Sequence, residues 1–276
     1  MKNRKRLCLL GDIVGMLAAG IIFIIPFLFI FLNSLKGRRE ANLLDLSLPS
    51  VWEWGNYKAV FEANNHIILT AFKNSFLITL GAIILLIFFS SMSGYVLQRR
   101  KDRLTRAVNV MIMTGLMIPP AILPTIWIMK GIHIYKTLAG IILIEVALQT
   151  PFTIMLFRGF MGSIPTELEE AGVIDGCSPF SLFRQVIFPL LKPVTSTVVI
   201  LNSVTIFNDF MNPLYFMPGS KNATVQLTLY NFMGQYSSSY NLLFADVMTI
   251  TVPMLILFII FNKKIVDGMV AGAVKG

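Results

Sequence analysis

Few side chains in this sequence are equipped to do chemistry, and most of those stand in or beside long apolar runs. Glu145 lies well inside one run, with Gln149 four positions later. Asn202 lies inside another, followed by Asn208 and Asp209. Positions i and i+4 share a helix face, so Glu145 and Gln149 would present a carboxylate and an amide together. A carboxylate among apolar helices is costly unless it faces protein or a water-filled cavity. Glu145, Gln149 and Asn202 suit either a polar pathway or buried hydrogen bonds between helices, and the sequence leaves both open; Asn208 and Asp209, near the outer end, suit a gate or a cap.

Catalysis finds less support. The two histidines, His66 and His133, fall outside the apolar runs, and neither His-Glu-x-x-His nor Gly-x-Ser-x-Gly occurs. No Gly-x-x-x-x-Gly-Lys-Ser/Thr loop is present to cradle phosphates. Cys8 and Cys177 have neither a nearby partner nor a metal-ligand spacing, which argues against a disulfide or structural zinc.

The elements that must carry these residues are helices that cross a bilayer. Hydrophobic residues make up 55% of the chain and charged ones 13%, against about 25% charged in an average soluble domain. The apolar residues form blocks of the roughly 20 residues needed to span a hydrocarbon core. Six spans are predicted, at about 13–32, 76–97, 107–129, 137–157, 194–216 and 242–261. The fifth reaches full length only by passing Asp209. The expected fold is an all-α integral membrane protein, with 1–276 forming a single transmembrane domain. The first block is expected to be a retained span, because 13–32 exceeds the apolar core of a signal peptide and Asn33-Ser34-Leu35-Lys36 offers no cleavage site.

A formal net charge of +9 could suggest nucleic acid. The basic residues, however, gather at the ends of the apolar blocks, where membrane orientation accounts for them, and no nucleic-acid partner is expected. With the N-terminus inside, cytoplasmic segments hold Lys2, Arg4, Lys5 and Arg6, then Arg99, Arg100, Lys101, Arg103 and Arg106. Arg158, Arg184, Lys192, Lys263, Lys264 and Lys275 follow, completing the larger share of the 23 Lys and Arg residues. Both termini are therefore placed in the cytoplasm. Trp52, Trp54 and Tyr57 lie in an external loop, suited to the membrane interface or to docking of something external. Pro119, Pro120 and Pro124 fall in one span, and Pro26, Pro151 and Pro253 are expected to interrupt others.

The long cytoplasmic connection 162–193 is predicted to form two short helices. The first has Pro165 near its start, Glu167, Glu169 and Glu170 complementing the positive end of the dipole, and Gly176 as its terminator. The second has Ser178 as N-cap and Pro179 in first position, with Phe180, Phe183 and Ile187 on one apolar face and Pro189 as its stop.

Glu170-Ala171-Gly172, three residues, Gly176, nine residues and Val186-Ile187-Phe188-Pro189 together resemble the EAA loop of bacterial ABC importer permeases. That loop reads Glu-Ala-Ala, three residues, Gly, nine residues, then Ile-x-Leu-Pro. The chain departs from it at Gly172, Val186 and Phe188, although residue 172 stays small. The run Asn208-Asp-Phe-Met-Asn-Pro-Leu214 is similar to the segment ending the fifth span in the carbohydrate-uptake branch. The segment 268–276 is similar to the C-terminus of the maltose-type second permease subunit, and Trp-Gly-Asn-Tyr57 fits that branch's first external loop.

The resemblance implies a type I ABC importer permease fold in a bacterial plasma (inner) membrane, forming half of a sugar pathway, oligosaccharide in kind. It implies a second homologous permease subunit, two copies of an ATP-binding subunit, an external solute-binding protein and a sugar as partners within the lipid bilayer. No cofactor is expected on this chain, ATP and Mg belonging to the ATP-binding subunits. The coupling contact falls to Glu170, Ala171, Gly172, Asp175, Gly176 and Pro189. Small residues allow close backbone approach, and Glu170 can make charge-assisted bonds. The tail 263–276, with Gly268, Gly272 and Lys275, would reach between the ATP-binding subunits or else form a disordered end. Glu145, Gln149, Asn202, Asn208 and Asp209 are the candidate pathway residues for a hydroxyl-rich solute. The rival readings are an ion-coupled secondary transporter, with Glu145 as its one candidate coupling residue, and an intramembrane enzyme.

Overall fold

The computed structural model describes residues 2–233 and 238–273 of the chain, and side chains other than those of 1–14, 17–19, 234–237, 257 and 261–276. The helices begin with α1 (Lys2–Ser34), α2 (Arg38–Ala41), α3 (Gly55–Arg99), α4 (Arg103–Met117), α5 (Ile122–Gly131) and α6 (Leu138–Met161). They continue as α7 (Glu167–Ile174), α8 (Pro179–Leu182), α9 (Phe188–Leu190), α10 (Lys192–Phe207), α11 (Met211–Phe216), α12 (Val225–Thr228) and α13 (Tyr240–Ala273). A π-turn over Phe183–Ile187 joins α8 to α9.

Among the described residues, α3, α6 and the Tyr240–Ile260 part of α13 are long and apolar enough to cross a membrane. Two bent pairs pass the same test together: α4 with α5, and the Pro179–Leu190 segment with α10. The Gly20–Ser34 stretch of α1, inside the first expected span, is apolar but shorter than a full crossing among the described residues.

Two expected spans are not continuous helices. The span at 107–129 is broken between α4 and α5, which bend by 117°. Pro119 and Pro120 remove successive backbone donors, and the residue before a proline is driven out of the helical region. Ile118 accordingly sits at φ −86°, ψ 120°. The span at 194–216 starts earlier, at Lys192, and halts at Phe207. There Asn208 Nδ2 donates to Val204 O at 2.9 Å, and Asp209 Oδ1 accepts from Met211 N at 2.9 Å. Such local side-chain bonds compete with helix continuation. Single prolines behave differently: Pro26, Pro151 and Pro253 do not interrupt α1, α6 and α13. Helix α13 also runs past the expected span end at 261 and through the expected tail to Ala273. Gly268 and Gly272 are helical there, at a cost of about 1 kcal/mol each relative to alanine, which a long helix absorbs. Lys275 lies outside the described residues.

The chain forms two compact units, Met1–Ile68 with Thr228–Pro253, and Leu69–Leu227 with Met254–Gly276. In the first, polar side chains tie down the end of α1. Asn56 Nδ2 donates to Ser34 O and Lys36 O at 2.8 and 2.9 Å, while its Oδ1 accepts from Asn241 Nδ2 at 2.8 Å. Lys36 is fully buried and pairs with Asp45 Oδ1 at 2.6 Å. The Tyr57 hydroxyl shares a hydrogen bond with Ser34 at 2.8 Å, whereas Trp52 and Trp54 are exposed. Helix α3 is interrupted at 63–66, where Asn64, Asn65 and His66 take left-handed φ values of 46°, 57° and 60°. Asparagine tolerates that region best among non-glycine residues.

In the second unit, one apolar cluster joins Ile78, Ala82 and Leu86 of α3 to Met129, Ile141, Ile206 and Phe216. It lies within the expected spans, where close packing rather than water exclusion holds helices together. A second cluster packs Phe157 and Met161 of α6 against Ile164, Phe183, Ile187 and Leu191. This one lies beside the 162–193 loop, and where such a side chain is buried from water the gain is about 1.5–3 kcal/mol. At Gly94 an added Cβ would come within 2.9 Å of Phe157 Cβ, so α3 and α6 touch nearly backbone to backbone.

Candidate functional site

The 162–193 loop is built from strong local signals. Glu167, Glu169 and Glu170 occupy the first turn of α7, where carboxylates oppose the positive dipole end. Its other end closes at Gly176, φ 81°. Cys177 N donates to Gly172 O and Gly176 N to Val173 O, both at 3.0 Å, the paired bonds of a Schellman termination. Ser178 Oγ then accepts from Ser181 N at 3.3 Å, with Pro179 in the first turn of α8. Pro189 does not stop the second helix as expected. The coil widens into the π-turn at Phe183–Ile187 and runs on through α9 to Leu190. A wider turn accommodates the missing donor and the bulk of a proline ring.

A contact absent from the sequence reading fixes this loop to the spanning helices. Glu169 Oε1 accepts from Arg99 Nε at 2.6 Å, and its Oε2 accepts from Tyr95 OH at 2.9 Å. Arg99 Nη2 also donates to Ile164 O at 2.9 Å. Sequence reasoning assigned Glu169 to the helix dipole and Arg99 to membrane orientation. Their separation of 70 residues leaves no local signal of pairing.

The predicted coupling residues divide into two sets. Gly172 is buried, and a Cβ there would meet Leu182 Cδ1 at 2.5 Å, so its lack of a side chain closes α7 onto α8. Glu170, Ala171, Asp175, Gly176 and Pro189 are exposed. Beside them stand Leu168, Val173 and Ile174, exposed to 42%, 61% and 85%. Sequence reasoning passed over these three. The available signal was apolar residues on a short acidic helix with nothing predicted to cover them. Gly268 and Gly272 lie in α13, away from this loop in sequence.

The polar residues of the spans also divide. Glu145 is 1% exposed; its Oε1 accepts from Asn212 Nδ2 at 3.2 Å, and its Oε2 has no donor. The Asp209 carboxyl lies within hydrogen-bonding reach of Glu145. Its Oδ2 is likewise buried without a donor, while Oδ1 caps the start of α11. Asn202 makes an interhelical bond to Thr153 Oγ1 at 3.3 Å and a second to Val198 O at 3.0 Å. Asn208 accepts from Gln226 Nε2 at 2.9 Å. Gln149 is half-buried on the same face as Glu145. The structure thus gathers Glu145, Asp209 and Asn212, the last missed from sequence, and turns Asn202 and Asn208 to other partners.

Residues 86–270 match the family described as the binding-protein-dependent transport system inner membrane component. The probable starch degradation products transport system permease protein AmyC of Thermoanaerobacterium thermosulfurigenes is 32% identical, over 92% of this chain and 93% of its own. The melibiose/raffinose/stachyose import permease protein MelC of Bacillus subtilis is also 32% identical, over 91% of each chain. Among solved structures, a chain of a bacterial ABC transporter involved in the import of the acidic polysaccharide alginate superposes with a TM-score of 0.80. It covers 95% of this chain and 97% of that one at 18% identity, a likeness that agrees with the expected fold. The protein is a multi-pass membrane protein, and the chain belongs to the family of binding-protein-dependent transport system inner membrane components.

Proposed function

We propose that this chain forms half of the translocation pathway of an ATP-driven sugar importer and receives the motor's movement through α7. The observation that carries the reading is the Arg99–Glu169 contact, which seats α7 on the end of α3 while Leu168, Val173 and Ile174 point outward. An exposed apolar ridge of this kind calls for a partner surface, and Glu170 beside it can bond a basic group there. The partner is an ATP-binding subunit, present twice, on which ATP is bound with Mg and hydrolysed. A second permease subunit completes the pathway, and an external solute-binding protein delivers the sugar. Closure of the motor displaces α7, and the spans turn their cavity outward to receive solute. Relatives named for starch degradation products and for melibiose, raffinose and stachyose support an oligosaccharide.

The test is reconstitution of the chain with these partners in liposomes and uptake over a panel of mono- and oligosaccharides. ATP-dependent uptake is expected, and Gly176→Asp abolishes it while assembly stays normal. Uptake sustained by an ion gradient without ATP would establish an ion-coupled transporter instead.

A further inference from the structure

A cavity of about 450 Å³ opens at the cytoplasmic ends of α3, α4 and α6, and its lining is basic: Arg100, Lys101, Arg106 and Arg158. Among the described residues none of the four enters an ion pair. Arg158 is held by neutral amides, with Nε donating to Gln98 Oε1 at 3.3 Å and Nη1 to Asn109 Oδ1. The neighbouring carboxylate Asp102 is engaged as the N-cap of α4, accepting from Thr105 N at 2.7 Å, although Arg100 and Arg106 also feel its charge. Four cations against one carboxylate leave the cavity strongly positive.

The adjoining surface is apolar. Leu104, Val108 and Met111 recur at i, i+4 and i+7 along α4 and are exposed to 73%, 37% and 72%. The stripe starts beside the cations and runs along α4 in the direction of the bilayer. A ligand matching both parts carries a phosphate joined to long apolar chains. Anionic lipids of the cytoplasmic leaflet have that form, and basic pockets between membrane helices recognise their headgroups. We propose that this cavity binds the phosphate group of an anionic phospholipid whose acyl chains lie along α4.

The full chain, purified in detergent, is titrated with phosphatidylglycerol and separately with phosphatidylcholine, and retained lipid is counted by native mass spectrometry. The wild type retains phosphatidylglycerol in preference. Each cation near an anionic lipid surface is worth about fivefold in affinity, so Arg100→Gln/Arg106→Gln weakens retention about 25-fold. Both positions are exposed, and an unchanged elution profile reports that the variant has folded. The control pair Lys130→Gln/Lys136→Gln, equal in charge removed, leaves retention unchanged. Equal retention of the two lipids, or equal loss in the control pair, overturns the proposal. Displacement of the lipid by millimolar inorganic phosphate would assign the cavity to a soluble phosphate and overturn it too. So would a double variant that keeps the lipid but loses the ATP-binding subunit, since the cavity would then be a protein contact.

Discussion

Arg99, the last residue of α3, and Glu169, in the first turn of α7, meet at 2.6 Å with their side chains only 19% and 14% exposed. Breaking such a pair from one side strands a mostly buried charge, at a cost of about 3 kcal/mol. Glu169→Leu and Arg99→Met should each lower the thermal midpoint, and the double variant should lie above the sum of the two losses. All three should transport poorly, because α7 is no longer seated. Strictly additive losses would show that the contact carries no coupling.

Gly172 faces Leu182, and an added Cβ would approach Leu182 Cδ1 to 2.5 Å, so that side chain must turn aside for a methyl group and further for a branched one. Overpacking of this kind costs about 1–3 kcal/mol. Gly172→Val should therefore impair stability and uptake, and Leu182→Ala should restore much of both in the same chain. Absence of rescue would mean that Gly172 is read by a partner instead of by α8.

Glu145→Gln keeps an acceptor for Asn212 and gains a donor that can satisfy the buried Asp209 Oδ2. It should fold at least as well as the wild type. Glu145→Leu leaves Asn212 without its acceptor and should lose about 1–3 kcal/mol. Thermal melts of the purified chain distinguish the two, and equal melting would show that the hydrogen bond contributes nothing.

The Lys36 ammonium and Ser47 hold the Asp45 carboxyl down to about 2 from an ordinary 3.8. A depressed carboxyl stabilises fully above its unfolded value and loses that contribution as pH falls through its folded one. The stabilisation should be intact above about pH 4 and fade towards pH 2. Asp45→Asn should lower the melting temperature at neutral pH and flatten this acid dependence. Removing both charges, with Lys36→Met/Asp45→Asn, should do less harm than Asp45→Asn alone, because no buried ammonium is left unpaired. An Asp45→Asn variant with the wild-type acid profile would remove Asp45 from the account.

What the sequence made legible was mostly short-range. Ser178 as a cap, Gly176 as a helix end and the acidic first turn of α7 each rest on residues within one or two turns of one another. They stand in the structure as expected. Pro119 with Pro120 broke a span where Pro26, Pro151 and Pro253 did not, because two adjacent lost donors are harder to absorb than one. Long-range pairs stayed hidden. Nothing near Arg99 announces Glu169, nothing near Lys36 announces that the fold will bury it whole, and Asn212 looked like part of a span until α11 brought it beneath Glu145. Hydropathy marks where a helix is stable in lipid, but its side-chain partners depend on which helices meet.

The close fit of Gly172 against Leu182 has a mechanical consequence. Helix α7 is 8 residues long, a rod of about 12 Å. It meets α8 at Gly172 and is tied near its root, where Glu169 takes Arg99. On the proposed coupling role, a push at the Ile174 tip would reach the end of α3 through Glu169 and Arg99. On that reading the two contacts give the protein stiffness as well as strength, and a variant that softened either would shorten the stroke while it weakened the fold.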